Sequence, residues 1–185
     1  MKVEVVGPVT EAEKELAAIA TGAGRIIVGV DDSPGGQSAL RLAVAQARTS
    51  RAQLVAVRSW ALGLPRHGGL RRRRLGPLHP HIVLHWDRTM QREASKDFVR
   101  RCLTDTLGGM PEDVAVAIRT PEGEPAAALT SIAKAEGDVI VVGQAPQMTV
   151  RRALHGSVGR YCRRHARCPV VIVPPAEPDA DARAA

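Results

Sequence analysis

Runs of aliphatic residues that alternate with helical stretches constrain the fold of this chain more than any other feature. The clearest runs span residues 26–30, 139–142 and 170–173. Uninterrupted β-branched residues are typical of strands covered on both faces, as in a parallel sheet. Two more strands are predicted, at about 53–58 and at 114–118, where alanine dilutes the pattern and favours an edge position.

Helical periodicity fills the segments between these strands. Ser33 and Pro34 form a favourable helix start directly after the first run. Further helices are predicted over about 87–107, up to Gly137, and from Ser157 onwards. Strand and helix in alternation imply right-handed crossovers. The predicted fold class is therefore α/β, with a single open five-stranded parallel sheet and helices on both faces.

Three segments fall outside the alternating pattern. Residues 1–24 are predicted to be an N-terminal extension with one short helix, and residues 59–86 an irregular Arg-rich loop. Residues 176–185 are predicted to be a disordered tail. The alternating domain is therefore expected to span residues 25–175.

Composition narrows the classes of function. The 185 residues are 44% hydrophobic, enough for a core, and carry a formal net charge of +7. That charge suits nucleic acid or a phosphate ligand, but it also suits an arginine-rich composition without functional meaning. Three scattered cysteines are too few for a disulfide framework, and no apolar run approaches the roughly 20 residues of a membrane helix. We therefore expect a cytoplasmic protein without membrane association.

Two strands of the predicted sheet end in residues that suit a ligand. In an open parallel sheet, ligands bind beyond the carboxyl ends of the strands, where the strand order reverses. The first strand ends at Asp31, whose carboxylate can bind a ribose hydroxyl, and the fourth ends at Gly143, which allows close approach to the backbone. Gly156 and Ser157 begin a helix, whose N–H groups favour a phosphate. Structural roles are equally open, with Asp31 and Ser157 as helix caps and Gly143 in a tight turn.

Three motifs in the chain resemble the universal stress protein family. Residues 26–33 are similar to that family's first strand. Residues 123–125 and 138–143 are similar to its third helix and fourth strand, and residues 156–158 and 168–173 are similar to its last helix and last strand. The resemblance covers about residues 25–174, except for 59–109. It implies the strand order 3-2-1-4-5, which would place Asp31 and Gly143 at the same crevice.

The resemblance also implies an adenine nucleotide site. ATP-binding members of the family carry Gly-x-x-Gly, nine further residues, and then Gly-Ser or Gly-Thr. In this chain Gly143 matches the first glycine, Gly156 and Ser157 match the final pair, and Pro146 replaces the second glycine. Proline fixes φ at about −65° and has no N–H. The loop is therefore expected to hold adenine and ribose better than the triphosphate of ATP.

Six residues are carried over from the resemblance as the candidate binding site. Val30 and Asp31 would contact the base and the ribose. The remaining four would line the ribose and phosphates: Gly143, Gly156, Ser157 and Val158. The sequence requires no metal ion, because the histidines at 79, 81 and 85 lack supporting ligands nearby. Motifs of nucleophile elbows, zinc proteases and Walker A loops are missing, so catalysis is not indicated.

Three hypotheses about function follow. The leading one is a non-catalytic stress-response module that senses or binds an adenine nucleotide, with a protein partner as a further option. The resemblance implies a homodimer through the last strand, Val170–Val173, which would otherwise leave an apolar edge. The second hypothesis is an ATP-binding protein with slow ATPase or autophosphorylation activity.

The third hypothesis is an interaction protein that binds no nucleotide, or a nucleic-acid binder that acts through arginines. Arg160, Arg163, Arg164 and Arg167 recur at helical spacing, and residues 71–74 are all arginine. A solvated helix face is the commoner reason for such a stripe, so nucleic acid is the weaker expectation.

Overall fold

The computed structural model describes residues 9–20, 22, 24–61, 80–144 and 158–176. Helices and strands alternate along this part of the chain: α1 Val9–Ala20, β1 Arg25–Gly29, α2 Pro34–Ser50, β2 Gln53–Val57, α3 Pro80–Leu107, β3 Val116–Arg119, α4 Pro125–Ile132, β4 Asp138–Gly143, α5 Val158–His165 and β5 Val170–Val173.

The strands form one parallel sheet in the order β3-β2-β1-β4-β5. β1 is the central strand, with Ile27 aligned with Val55 of β2 on one side and Ile140 of β4 on the other. The chain builds outward from β1 to β3 and then returns to the opposite side of β1. The strand order therefore reverses between β1 and β4. The predicted α/β class, the parallel sheet and its strand order are confirmed.

Helices cover both faces of this sheet. Residues of α1, α2 and α3 share one apolar cluster with Ile26 and Val28, whereas residues of α4 and α5 share another with Ile27. Successive residues of a strand point to opposite faces, so the two clusters correspond to the two faces. Burial on both sides explains why the β1 sequence is apolar without interruption.

The helix of the predicted N-terminal extension belongs to the core. Ala12, Leu16 and Ala20 are fully buried, Ile19 is half-buried against the same cluster, and α1 contacts α2 and β5. An apolar residue at every fourth position forms one stripe along a helix, and here that stripe packs on the layer that also contains α2. Residues 9–20 of the predicted extension therefore pack against the domain, which the sequence alone did not determine.

Two boundaries at the predicted loop and tail also differ from expectation. α3 begins at Pro80, so residues 80–86 are helical and not part of an irregular loop. Proline suits the first turn of a helix, because its missing N–H would have no partner there. At the other boundary, the Ala176 N–H donates to Ser38 Oγ at 2.9 Å, which attaches the first residue of the predicted tail to α2. The Arg-rich run at 71–74 and the rest of the tail lie outside the described residues.

An ion pair joins β1 to β4 at the amino edge of the sheet. Arg25 Nε donates to Asp138 Oδ1 at 2.9 Å, and its Nη2 donates to Oδ2 at 2.7 Å. Arg25 Nη2 also donates to the Ile132 carbonyl at 3.2 Å, and the Ala135 N–H donates to Asp138 Oδ2 at 2.8 Å. These bonds occupy the Ile132 carbonyl and the Ala135 N–H, which would otherwise form further helical hydrogen bonds of α4. The helix therefore ends at Ile132 and not at the predicted Gly137.

No helix in the described ranges is both long and apolar enough to cross a bilayer.

Candidate functional site

A cleft of about 420 Å³ lies at the carboxyl edge of the sheet. Its lining comes from the residues at the ends of β1, β2 and β4, from the first turns of α4 and α5, and from β5: Gly29, Val30, Asp31, Val57, Arg58, Ser59, Pro125, Leu129, Val142, Gly143, Gln144, Val158, Gly159 and Ile172. This is the place where parallel sheets bind ligands, because the crossovers leave β1 and β4 in opposite directions there.

The segments that follow β1 and β4 touch one another beside this cleft. A Cβ added at Gly143 would overlap the backbone of Gly35 and Gly36, and one added at Gly35 would overlap the backbone of Gln144. Glycine is needed at such a contact because no side chain fits between the two backbones. The sequence-based expectation that the two turns converge on one crevice agrees with this geometry.

Asp31 occupies the turn between β1 and α2. Its Oδ1 accepts hydrogen bonds from the Ser33 N–H at 3.0 Å and from Ser33 Oγ at 2.5 Å. Ser33 is the N-cap of α2, and its Oγ accepts from the Gly36 N–H at 3.0 Å. Asp31 therefore supports a helix cap through Ser33, yet its carboxylate stays exposed at the cleft. One oxygen has a structural role, which leaves the other for a ligand.

Much of the remaining cleft lining is apolar. Val57, Val142 and Ile172 come from strands and Leu129 comes from α4, and all four line the cleft. At the start of α5, Gly159 lies close to the sheet, because a Cβ there would come within 2.7 Å of Ile172 Cδ1. An apolar wall facing a few polar groups is the usual arrangement of small-molecule sites, and the volume of the cleft falls within their range.

Four of the six candidate residues come together in this cleft: Val30, Asp31, Gly143 and Val158. Gly156 and Ser157, together with Pro146, lie outside the described residues. The ligand-binding roles carried over to all six remain predictions.

Arg58 is a cleft residue that the sequence analysis did not select. Its guanidinium lies over the Phe98 ring, 3.5 Å from the centroid, and its Nη1 is 3.5 Å from the Val30 carbonyl oxygen. Arg58 directly follows β2, just as Gln144 directly follows β4. Position after a strand end was therefore the signal that could have identified both residues.

The thiols in the described part of the chain are poorly suited to nucleophilic chemistry. Cys162 is fully buried on α5, and burial raises the pKa of its thiol to about 12. Burial also raises the pKa of Cys102, although the charge of Arg58 acts in the opposite direction. Within the described ranges, no group of His, Cys, Asp and Glu side chains is arranged to hold a metal ion. His79 lies outside the described residues, and for His81 and His85 the structure describes the backbone alone.

The family model described as the universal stress protein family matches residues 22–174. The chain belongs to this family. A search of curated proteins finds no match.

Solved universal stress proteins share the fold. UspA from Lactobacillus plantarum is 22% identical with a TM-score of 0.56, over 82% of this chain and 97% of that chain. A universal stress protein solved in complex with cAMP is 21% identical with a TM-score of 0.50, over 84% of this chain and 99% of that chain. A universal stress protein from Archaeoglobus fulgidus DSM 4304 is 16% identical with a TM-score of 0.52, over 83% of this chain and 45% of that chain. Identities this low establish the shared fold alone.

Proposed function

We propose that this universal stress protein is a non-catalytic stress-response module that binds an adenine nucleotide in the cleft at the carboxyl edge of its sheet. The observation that carries the proposal is the cleft itself, formed where the turns after β1 and β4 meet and lined by an exposed carboxylate and apolar side chains. The apolar faces of an adenine ring and a ribose hydroxyl match these two kinds of lining.

Each side of the cleft has a distinct part in this proposal. Val57, Leu129 and Val142 provide apolar surface for the base. Asp31 Oδ1 is held by Ser33, and the described part of the chain makes no hydrogen bond to Oδ2. Oδ2 is therefore the acceptor proposed for a ribose hydroxyl, and a charged acceptor strengthens such a bond.

The nucleotide proposed is an adenosine monophosphate type of ligand and not ATP. Pro146 stands where ATP-binding relatives have a glycine, and it has no N–H for a phosphate oxygen. A structural relative was solved in complex with cAMP, which supports testing adenine nucleotides with a single phosphate.

Binding without turnover fits the chemistry of the described lining. These residues include no His, Cys or Lys, and their single carboxylate, on Asp31, already accepts two hydrogen bonds from Ser33. General-base catalysis by Asp31 is therefore not part of the proposal.

Calorimetric titration with AMP, cAMP and ATP tests the proposal. We expect AMP or cAMP to bind more tightly than ATP, and Asp31→Asn to weaken binding about tenfold, because it removes a charge-assisted hydrogen bond. Asp32→Asn is the matched control, since Asp32 is the adjacent exposed carboxylate outside the cleft lining. Circular dichroism verifies that α2 survives both changes. Absence of heat at millimolar concentrations of all three nucleotides would contradict the proposal, as would equal affinities of the two variants.

ATP binding with slow hydrolysis or autophosphorylation is the second candidate. The intact spacing between Gly143 and the Gly156–Ser157 pair favours it. Pro146→Gly restores the glycine of ATP-binding relatives, and a gain of ATP affinity in this variant would identify the proline as the cause of weak binding. Release of phosphate by the wild-type chain with Mg²⁺ and ATP would replace the first candidate with the second.

We further propose that the protein is a cytoplasmic homodimer that pairs through the outer edge of β5. The carbonyls of Pro169 and Val173 accept hydrogen bonds from β4. Alternate residues of a parallel strand point to the same side, so Val170 and Ile172 direct their backbone groups outward. Such groups form a template for a second strand. Three free cysteines fit a reducing compartment.

A further inference from the structure

The positive charge of the chain is concentrated in one segment. Residues 139–176 contain six arginines and no Asp, Glu or Lys, so they carry +6 of the formal net charge of +7. The rest of the chain is therefore almost neutral. Overall arginine enrichment does not account for this distribution, because the acidic residues are excluded from the same 38 positions.

α5 carries three of these arginines, and a fourth, Arg167, lies two residues after the helix ends. Arg160, Arg164 and Arg167 are exposed and Arg163 is half-buried, whereas Cys162 is buried against α4 and the sheet. We call these four residues the arginine surface. The neighbouring helix α4 contacts α5 and has no charged residue between Pro125 and Ile132.

An aromatic pair lies along the same helix. The rings of Tyr161 and His165 stack with centroids 4.0 Å apart and an interplanar angle of 21°. Tyr161 is 39% exposed and follows Arg160 directly, while His165 is exposed and follows Arg164. His165 Nδ1 lies 2.9 Å from the Tyr161 carbonyl oxygen, which can only accept, so this contact fixes the orientation of the imidazole ring.

We propose that the arginine surface, together with the Tyr161–His165 pair, binds single-stranded nucleic acid. Arginines neutralise phosphates, and an exposed aromatic ring offers a face on which an unpaired base can stack. The bases of a duplex are already stacked on one another, so the aromatic pair favours single strands. An acidic protein would match the charge but would leave the aromatic pair without a function. None of these six residues lines the adenine nucleotide cleft, so the proposal does not rest on nucleotide binding there.

Fluorescence anisotropy with a labelled 20-nucleotide oligo(dT) and the full chain tests the proposal. Arg160→Gln with Arg164→Gln is expected to weaken binding about tenfold and to reduce the slope of log affinity against log salt by about 1.4, for two lost phosphate contacts on a single strand. Arg92→Gln with Arg101→Gln is the matched control: both arginines are exposed on α3, in the opposite layer. This control removes the same charge and is expected to change affinity less than twofold.

Tyr161→Ala separates stacking from charge. We expect about tenfold weaker binding with an unchanged salt slope, because a lost stacking contact releases no counterions. Unchanged affinity in this variant would overturn the proposal. Equally effective competition by polyglutamate would also overturn it and would indicate an acidic protein as the partner. Saturating AMP should leave oligo(dT) bound, and complete displacement would place the oligonucleotide in the cleft and refute the assignment to α5.

Discussion

Gly35, in the first turn of α2, packs backbone against backbone on the segment formed by Gly143 and Gln144 at the end of β4. β4 is held in the sheet between β1 and β5, and α2 contacts both β1 and β4. Neither element can therefore move away without disturbing the core. This contact sets the separation of the two turns that border the cleft.

Gly143→Ala is expected to destabilise the fold, because the added methyl group would overlap the backbone of Gly35 and Gly36. Overpacking of this kind costs about 1–3 kcal/mol of unfolding free energy, which urea denaturation measures. Gly24→Ala is the control, since a Cβ there meets no atom within 4 Å. Equal stability of the two variants would mean that the two backbones are not in tight contact.

Asp138→Asn is expected to reduce the unfolding free energy by about 2 kcal/mol, because it leaves Arg25 with a neutral partner at the buried end of β4. Asp113→Asn is the matched control. Asp113 pairs with Arg48 in the same two-bond manner, with Nη2 3.0 Å from Oδ1, but both side chains are exposed. Exposed pairs contribute little, so denaturation midpoints should shift only for Asp138. Similar shifts in both variants would argue against a special role for the buried pair.

Cys162 should make the fold less stable at alkaline pH. Burial raises the pKa of its thiol from the ordinary 9.0 to about 12 in the fold. Above pH 9 the unfolded chain loses this proton while the folded chain retains it, so stability is complete below pH 9 and is lost as the pH rises towards 12. Between pH 8 and pH 10 the loss amounts to about 1.4 kcal/mol.

Denaturation of the wild type and Cys162→Ala at both pH values isolates this effect, because all other titrating groups are common to the two proteins. A parallel decline in both proteins would show that the Cys162 thiol is not shielded from water.

Ile172→Pro is expected to convert the proposed homodimer into monomers. The Ile172 N–H points away from β4, so proline removes an outward donor without breaking the β4–β5 ladder. Ile172→Ala is the control, because it also loses the side chain but retains the N–H. Light scattering gives the mass of each. A dimer that persists in the proline variant would exclude pairing through this edge.

The sheet could be predicted because its strands are buried on both faces. Ile26, Ile27 and Val28 have no exposed surface, and that environment selects an uninterrupted aliphatic run. The packing of α1 could not be predicted, because its buried stripe consists mainly of alanine. Ala12 and Ala20 would suit a solvent-facing helix equally well, and only the tertiary structure shows that they lie in the core.

The site was predictable to the extent that strand ends determine it. Asp31 and Gly143 could be placed together because the family resemblance implied the strand order, in which the carboxyl ends of β1 and β4 are neighbours. Arg58 also follows a strand end, but the packing of its guanidinium on Phe98, 40 positions away on α3, could not be predicted from the sequence. Leu129 appeared only as part of an apolar helix face, and its place in the cleft wall depends on how α4 packs across the sheet.

α5 connects the two proposed binding sites. Its first residues, Val158 and Gly159, line the cleft, and Tyr161 lies less than one turn further along. A short helix moves as a rigid rod, so a shift of its first turn by a bound nucleotide would also reposition the aromatic pair. Thermodynamic linkage makes such an effect reciprocal, because each ligand must change the affinity of the other by the same factor. The cellular concentration of an adenine nucleotide would then set the affinity of the protein for single-stranded nucleic acid.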